Sequence, residues 1–292
     1  MAKRAPIGGL VAGVAALLAT ATAALAEEKD RYSLFERTPD RLLRDMTTDR
    51  PDTTESPFTI DAGRIQVETS LFGYARSRRD AEGAVTETFE FATTNLRIGL
   101  THNAELGVVW QPWGIVRTRG GDPAAATRQS GIGGLDIRGK LNLWGNDDFE
   151  EPGATAFGLL PFVTVPTDRG NGIGPDAVEG GLLLPLAIVL PADFGLGLNA
   201  GAVRTKAGES SRYHMEYLLS ASLAYAWSEA LGTYYEVAAR LNVDSPDGDA
   251  VVLATGLTYK LGDNLQLDMG VNVGVTAGSD RVNPFVGVSR RF

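Results

Sequence analysis

Cysteine is missing from all 292 positions of the chain. A disulfide framework, a thiol nucleophile, a lipidated cysteine and any metal site built on thiolates are therefore excluded. Basic residues are also in deficit, with 27 Lys and Arg against 36 Asp and Glu and a net charge of −9. Nucleic-acid binding requires a basic face, so this charge balance argues against a nucleic-acid partner.

Long apolar runs are rare, and the main one lies at the start of the chain. Residues 1–26 carry Lys3 and Arg4, then an Ala-rich run, then Ala24-Leu25-Ala26. This order is typical of a cleaved secretory signal peptide; a membrane anchor is the alternative. The mature chain would begin at Glu27 with 25 basic and 36 acidic residues, a net charge of −11. The next apolar run, residues 180–191, is too short to cross a membrane as a helix.

Helical periodicity is scarce after residue 26, whereas 35 glycines and a recurring apolar–polar alternation indicate β structure. The alternation predicts twelve strands, at residues 64–74, 87–100, 105–116, 131–143, 154–166, 177–190, 193–205, 212–227, 230–243, 250–261, 264–276 and 281–292. Ordinary globular strands have about 5–6 residues. Strands of about ten residues or more in succession suit a tilted bilayer crossing.

The alternation separates two chemically different faces. In residues 134–143, Leu135 and Ile137 share one face, whereas Arg138 and Lys140 share the other. A β-sandwich also alternates, but with shorter and less uniform strands. We therefore predict an all-β fold, a closed antiparallel transmembrane β-barrel of about 12 strands over residues 61–292, with apolar side chains toward lipid and polar ones toward the lumen.

The predicted connections alternate in length as well. Residues 101–104, 191–192, 228–229 and 262–263 form tight turns, whereas 117–130 is the longest of the other set; residues 144–153 are an exception. Short periplasmic turns and longer outer loops are typical of outer-membrane barrels. An even strand number puts both chain ends on the periplasmic side, where the first and last strands can pair and leave no open edge.

Three prolines fit this scheme poorly. Pro112, Pro161 and Pro185 lie within predicted strands, and each removes a donor from the sheet. We expect bulges or altered registers there, with a bend or division of segment 177–190 at Pro185.

The chain ends on an aromatic residue, Phe292, without a polar tail. Trp227, Tyr225 and Tyr259 are predicted near the same level of the outward face, as an aromatic girdle. A terminal Phe resembles the signal that the barrel-assembly machinery of bacteria reads. Phe292 is therefore the candidate assembly signal, and that machinery and outer-membrane lipid are the expected partners.

Residues 27–60 do not alternate and are predicted to form a short N-terminal periplasmic segment, with a short helix starting at Pro39. The motif in this segment comprises Thr48, Asp49, Arg50, Pro51, Asp52, Thr54, Glu55, Ser56 and Pro57. It resembles the signature of a family of outer-membrane channels named for the meta-pathway of phenol degradation. Residues 133–144 and 160–174 resemble two further blocks of that family, although the second has "VPTDRG" where the family has Leu-Pro-Thr-Gly.

This resemblance implies an outer-membrane barrel associated with the degradation of aromatic compounds. It implies no substrate residue. Residues 27–60 have two possible roles. They form a solvated periplasmic leader, or they enter the barrel base as a plug or gate, with Asp49, Arg50, Asp52 and Glu55 paired to lumen charges.

Strand parity predicts a lumen that carries both signs of charge. The lumen-facing candidates are Glu68, Arg97, Asp136, Arg138, Lys140, Glu179, His214, Glu216, Glu236, Arg240, Lys260 and Asp268. They form either a structural network that braces the interior or the wall of a conduction path. A balance of signs argues against a strongly ion-selective pore.

The functional prediction is an outer-membrane channel of a Gram-negative bacterium that passes small, possibly aromatic or hydrophobic molecules by passive diffusion. Glycine-rich stretches such as residues 131–139 do not open a predicted helix, so no nucleotide site is expected. We predict no catalytic residues, no cofactor and no metal. One alternative is a non-conducting structural or partner-binding barrel. Another is a rim lipid hydrolase using His214 with Ser210 or Ser211.

Overall fold

The computed structural model describes residues 29–120, 126–206, 212–242 and 248–292. The predicted signal peptide, residues 1–26, lies outside this range. One 3-10 helix, Asp40–Leu42, precedes a sheet of fourteen strands. The strands are β1 (Ile65–Arg76), β2 (Ala84–Thr101), β3 (Ala104–Trp110), β4 (Trp113–Gly120), β5 (Thr127–Gly131), β6 (Leu135–Trp144), β7 (Thr155–Val165), β8 (Glu179–Val189), β9 (Phe194–Lys206), β10 (Tyr213–Ala226), β11 (Leu231–Asn242), β12 (Ala250–Lys260), β13 (Leu265–Gly274) and β14 (Asn283–Arg291).

The sheet closes on itself as an antiparallel barrel. Strand β1 pairs with β2 on one side and with β14 on the other, from Gln66 opposite Arg291 to Gly73 opposite Phe285. Long strand β2 pairs with β3 over one half and with β4 over the other, while β6 continues β5. Because β3–β4 and β5–β6 are each one interrupted strand, the barrel has twelve strands. The predicted fold class is confirmed.

Proline explains one interruption and two gaps in the ladders. Strand β3 ends before Gln111-Pro112, and β4 begins just after them. The β6–β7 pairing skips from Phe162 to Leu159, on either side of Pro161. The β7–β8 pairing skips two residues at Pro185. The expected division at Pro185 is wrong, because Pro185 still pairs with Asn199 of β9 and β8 runs unbroken.

The two faces of the barrel wall differ as the alternation predicts. On β6, Ile137 and Leu143 are exposed on the outside, whereas Lys140 and Asn142 are only 3% and 4% exposed. The other outward apolar residues include Met215, Tyr217, Leu219, Leu223, Val237, Leu253, Leu267, Met269 and Val273. A shell of large apolar side chains around a polar interior is the arrangement that a bilayer requires of a barrel.

Both ends of the barrel chain lie at one rim, which we call the inner end. The backbone N–H of Phe292 donates to the carbonyl of Ile65 over 2.8 Å, which extends the β1–β14 seam to the last residue. Phe292, Trp227 and Tyr259 are exposed on the outer face near this rim. The connections at the inner end are residues 102–103, 145–154, 190–193, 227–230 and 261–264. Within the described ranges, no helix has the length and apolarity to span a membrane.

Candidate functional site

The N-terminal segment begins at the inner end of the barrel. Tyr32, Leu42 and Ala62 form a small apolar cluster there, and the guanidinium of Arg64 donates to the carbonyl of Thr38 over 2.7 Å. The predicted short helix is limited to the three residues of the 3-10 turn, with Pro39 as its cap. From this base, residues 44–61 run through the lumen; we call them the lumen segment.

Arg97 on β2 is the centre of the charged network. Its side chain is fully buried, and its guanidinium donates to Glu68 of β1 over 2.8 Å and to both oxygens of Glu105 on β3 over 2.9 Å. A third carboxylate, Asp49 of the lumen segment, lies 3.3 Å from it. A further bond goes to the carbonyl of Phe58 over 2.9 Å. The arginine therefore joins two neighbouring wall strands and the segment in one cluster.

Asp49 is held between two cations. Lys140 of β6 donates to the Asp49 carboxylate over 2.5 Å, on the side opposite Arg97. Burial by itself raises the pKa of Asp49, but Arg97 and Lys140 outweigh that effect and hold its pKa at about 2. Asp49 is therefore a carboxylate at neutral pH, and its charge links the segment to β2 and β6.

Arg50 attaches the lumen segment to β13 and β14, across the β1–β14 seam from the Arg97 cluster. Its guanidinium donates to both oxygens of Asp268 on β13, over 2.7 and 3.2 Å. It lies directly on β14, where a Cβ added to Gly287 would come within 2.3 Å of it. A side chain at position 287 would therefore displace the arginine. The absence of a side chain is what allows this bidentate pair to form.

Wall side chains also bind the backbone of the lumen segment. Glu236 of β11 accepts from the N–H groups of Thr53 and Thr54 over 3.0 and 2.7 Å. Asn199 of β9 accepts from the N–H of Glu55 and donates to its carbonyl, over 2.8 and 2.9 Å. Asn142 of β6 donates to the carbonyl of Pro57 over 3.0 Å. Backbone groups without regular structure must be paired when they are buried, and here the barrel pairs them.

Asp52 of the lumen segment, unlike Asp49, has no ion pair among the described residues. Burial, together with the nearby charge of Glu236, raises the pKa of Asp52 to about 7, although a hydrogen bond with Ser222 opposes the shift. Asp52 therefore changes charge near neutral pH. Its ionisation places two carboxylates side by side in the lumen.

Arg138 of β6 lies where the lumen segment faces the outer part of the barrel. It donates to Glu55 over 2.7 Å and to Asp136 over 3.0 Å. The side chains of Arg138 and Glu55 are 24% and 14% exposed, so this pair is reachable from the lumen. Two atoms, Glu55 Oε2 and Arg138 Nε, have no hydrogen-bond partner among the described residues.

Among the described residues, the remaining candidates form no ion pair with the lumen segment. Glu216 pairs with Arg240 and with His214 in the outer part of the lumen, and Glu179 accepts from the hydroxyl of Thr205. Lys260 lines a cavity of about 570 Å³ at the inner end. The nucleophiles of the hydrolase hypothesis, Ser210 and Ser211, lie outside the described residues. The described contacts of His214 Nε2 are with Glu216 and Asn242, both at 3.0 Å.

A second face of the lumen is apolar. Leu160 and Phe162 of β7, Leu183 of β8, Leu218 of β10 and Val252 of β12 line a cavity of about 360 Å³. Its polar lining comprises Thr53, Glu55, Arg138, Asn199, Ser220 and Arg240. The cavity thus lies between the lumen segment and an apolar wall.

Several polar residues of the site were absent from the predicted set. Glu105 is the most important, since it accepts from Arg97 and from the N–H of Ile60 over 2.7 Å. The others are Gln66, Asn142, Asn199, Ser220 and Gln266. All lie on the inward face, so strand parity was a usable signal. The predicted set contains only ionisable side chains, so the amides and the serine are not in it. Glu105 is ionisable but stands at the first position of its predicted strand.

Among the described residues, no group of three or more His, Asp or Glu side chains is arranged to hold a metal ion. The site consists of a network of ion pairs beside an apolar cavity.

Comparisons with known proteins agree with this architecture. A family model described as "Putative MetA-pathway of phenol degradation" matches residues 48–292. The fold is similar to that of an outer membrane channel from Pseudomonas putida F1, with 17% identity, a TM-score of 0.58, and coverage of 84% of this chain and 100% of that one. It is also similar to the transport unit of the autotransporter AIDA-I from Escherichia coli, with 11% identity, a TM-score of 0.52, and coverage of 84% and 92%. No curated protein matches the sequence.

Proposed function

Since this chain belongs to the phenol-degradation family whose model spans residues 48–292, we propose that it is a passive channel for small, weakly polar molecules in the outer membrane of a Gram-negative bacterium. Residues 1–26 act as the cleaved signal that directs it there. Phe292 and strand β14 engage the barrel-assembly machinery. The lumen segment acts as a plug that restricts the pore.

The observation that carries this proposal is the division of the lumen. In a purely structural barrel the interior is filled by the protein's own side chains and leaves no space for a solute. Here Leu160, Phe162, Leu183 and Leu218 line an internal cavity rather than the lipid-facing surface. A small apolar solute is desolvated at such a wall, at a gain of about 25 cal/mol per Å² of apolar surface removed from water. A gradient across the membrane is then sufficient to drive the transfer.

The competing function is a non-conducting barrel that holds a surface loop or a partner. The ion pairs of Arg97, Asp49 and Lys140 favour it, because they fill one side of the lumen. These pairs are compatible with both functions. A measurement of solute transport distinguishes the channel from the non-conducting barrel.

The experiment is solute entry into lipid vesicles that contain the full mature chain. We expect arbutin, a neutral phenol glucoside that the bilayer itself holds back, to enter clearly faster than into empty vesicles, whereas a trisaccharide stays outside. The cavity beside the segment, of about 360 Å³, limits the size of solute that can pass. Vesicles with an unrelated eight-stranded barrel, whose interior is filled by side chains, are the control. Equal rates in both preparations would leave the non-conducting function as the better account.

A further inference from the structure

The outward face of the barrel wall is aromatic near the outer end of β1, β2 and β4. Phe72 and Trp113 are exposed there, whereas the alternate positions Gly73 and Gly114 are buried, which identifies the outward face. The strand registers place the outward side chains in rows that run across the strands. One row consists of Phe72, Phe91 and Trp113, and the next row outward consists of Tyr74, Phe89, Ile115 and Ser130.

The row that follows is charged. It consists of Arg76, Glu87, Arg117 and Arg128, on β1, β2, β4 and β5, and we call it the outer charged row. Two residues along a strand span about 7 Å, so these charges lie directly above the aromatic rows. Aromatic belts mark the boundary between the apolar zone of a membrane and its head groups. The outer charged row therefore lies at the level of the lipid head groups.

Two arginines of the outer charged row stand directly opposite each other. Arg117 of β4 pairs with Arg128 of β5, and like charges in such a position destabilise a strand pair. The carboxylate of the row does not offset them. Glu87 lies 3.7 Å from Arg119 and accepts from the hydroxyl of Tyr74 over 3.1 Å. Within the described ranges, neither Arg117 nor Arg128 takes part in an ion pair.

The charges above the row do not neutralise it either. Residues 77–83, which connect β1 to β2, carry Arg78 and Arg79 together with Asp80 and Glu82, so their net charge is zero. The pair of opposed arginines thus remains uncompensated among the described residues, and an anion placed between them would remove the repulsion.

The geometry of the two arginines suits a phosphate group. The guanidinium of Arg117 lies over the ring of Phe89, 5.1 Å from its centroid, and this stacking holds it in place. Arg128 is exposed. Side chains directly opposite on paired strands have Cβ atoms about 4.5–5.5 Å apart, so both guanidinium groups can reach one phosphate. Each can then donate two parallel hydrogen bonds to its oxygens.

The rows below the arginines favour a lipid phosphate over a free anion. A soluble anion would contact only the arginines at an open surface. A lipid whose phosphate lies between Arg117 and Arg128 also brings its acyl chains against Phe72, Phe91 and Trp113, and the apolar surface that is then removed from water adds to its affinity. The outer leaflet of the outer membrane supplies such a lipid, because its glycolipid carries phosphates on the head group.

We propose that Arg117 and Arg128 bind a phosphate group of the outer-leaflet glycolipid, whose acyl chains pack on the aromatic rows. The site lies on the outside of the barrel, so it depends on placement in the outer membrane and not on transport through the lumen. Within the described ranges β5 pairs with β4 alone, and the bound phosphate holds these two strands together.

The test is binding of bisphosphorylated lipid A to the purified full chain in detergent, with divalent cations removed, followed by native mass spectrometry. We expect saturable binding, and binding of lipid A without its phosphates that is weaker by at least about tenfold, because the hydrogen bonds to a charged group are lost. Equal binding of both lipids would overturn the role of the phosphate. Displacement of lipid A by an equal concentration of inorganic phosphate would assign the arginines to a free anion instead.

Two double variants with the same change of charge locate the site. The first carries Arg117→Gln and Arg128→Gln. The second carries Arg204→Gln and Lys206→Gln, at the outer end of β9, where Arg204 stacks on Tyr213 at 4.2 Å but stands opposite Met215 and not a second cation.

We expect the affinity for lipid A to fall at least about tenfold in the first double variant and to change little in the second. Both variants should show the heat-dependent gel mobility of a folded barrel. Equal losses in the two folded variants would overturn the site, because overall charge and not the opposed arginines would then attract the lipid.

Lipid binding and transport fail separately. Solute entry into vesicles without phosphate-dependent binding of lipid A overturns the lipid site and retains the channel. Phosphate-dependent binding that is lost with Arg117 and Arg128, without solute entry, retains the lipid site and overturns the channel.

Discussion

The two halves of the lumen wall differ in the side chains that they present to the lumen. Around β1, β2, β3, β6 and β13 the inward face carries Glu68, Arg97, Glu105, Lys140 and Asp268, and the lumen segment is attached to it by ion pairs. Around β7, β8 and β10 the inward face carries Leu160, Phe162, Leu183 and Leu218, and beside it a cavity remains. The ion pairs of the lumen segment lie on the first half. On the second half the segment is held by hydrogen bonds to Asn199 and Ser220, and a cavity remains beside it.

The difference has a physical cause. Buried charges require partners in fixed geometry, so the charged half is complete only when Asp49 and Arg50 are in place. Apolar side chains have no such requirement, and it is favourable for an apolar molecule of suitable shape to remove them from water. We therefore expect the stability of the barrel to depend on the charged half of the lumen and permeation to depend on the apolar half.

The largest expected difference is in the free energy of unfolding, when one residue is substituted in each half. We expect Arg97→Ala to lower the free energy of unfolding by about 3–5 kcal/mol, because Asp49, Glu68 and Glu105 then remain buried without their common partner. Leu218→Ala, on the apolar half, should lower it by less than about 1.5 kcal/mol, since Leu218 is half-buried at a cavity rather than packed. Urea unfolding in lipid vesicles, followed by tryptophan fluorescence, measures both.

Arg119→Ala is the control for the removal of an arginine as such. Its side chain is 61% exposed and lies 3.7 Å from Glu87, so we expect the free energy of unfolding to fall by less than about 1 kcal/mol. If Arg97→Ala lost no more than Arg119→Ala, the charged half would have no special role in holding the fold.

A smaller effect is expected from pH, through Asp52. Because the pKa of Asp52 is raised to about 7 when the segment is docked, docking is favoured at low pH, weakens as the pH rises toward 7 and levels off above it. With an ordinary pKa near 3.8 in the released segment, the docked fraction relative to the released one should fall about five- to tenfold per pH unit between pH 5 and 7.

Conductance in planar bilayers measures this release. We expect more open time at pH 7.5 than at pH 5, and a flatter response in Asp52→Asn, whose amide does not ionise. Asp49 remains ionised and paired with Arg97 and Lys140 over that range, since its pKa is about 2. An equally steep pH response in Asp52→Asn would assign the titration to another group.

Much of the fold was predictable from alternation alone. Patterns such as Gln266 and Asp268 against Leu267 and Met269 located the strands and their inward faces, because a period of two leaves one face for lipid. The network inside was less predictable. The pair between Arg50 and Asp268 joins residues 218 positions apart, and no local pattern encodes it.

The apolar half of the lumen could not be predicted for a different reason. Leu182, Leu183 and Leu184 follow one another in β8, so the alternation that separates two faces is absent there. Only the registers with β7 and β9 decide that Leu183 faces inward. The cavity therefore depends on strand pairing, which the order of residues along β8 does not reveal.

Restriction of the pore by the N-terminal segment can be measured through the conductance of a folded chain that lacks residues 27–57. We expect a severalfold larger conductance than that of the full chain, reversed when a synthetic peptide of residues 27–57, but not its scrambled counterpart, is added to the inner side. A folded deletion variant whose conductance equals that of the full chain would contradict the account.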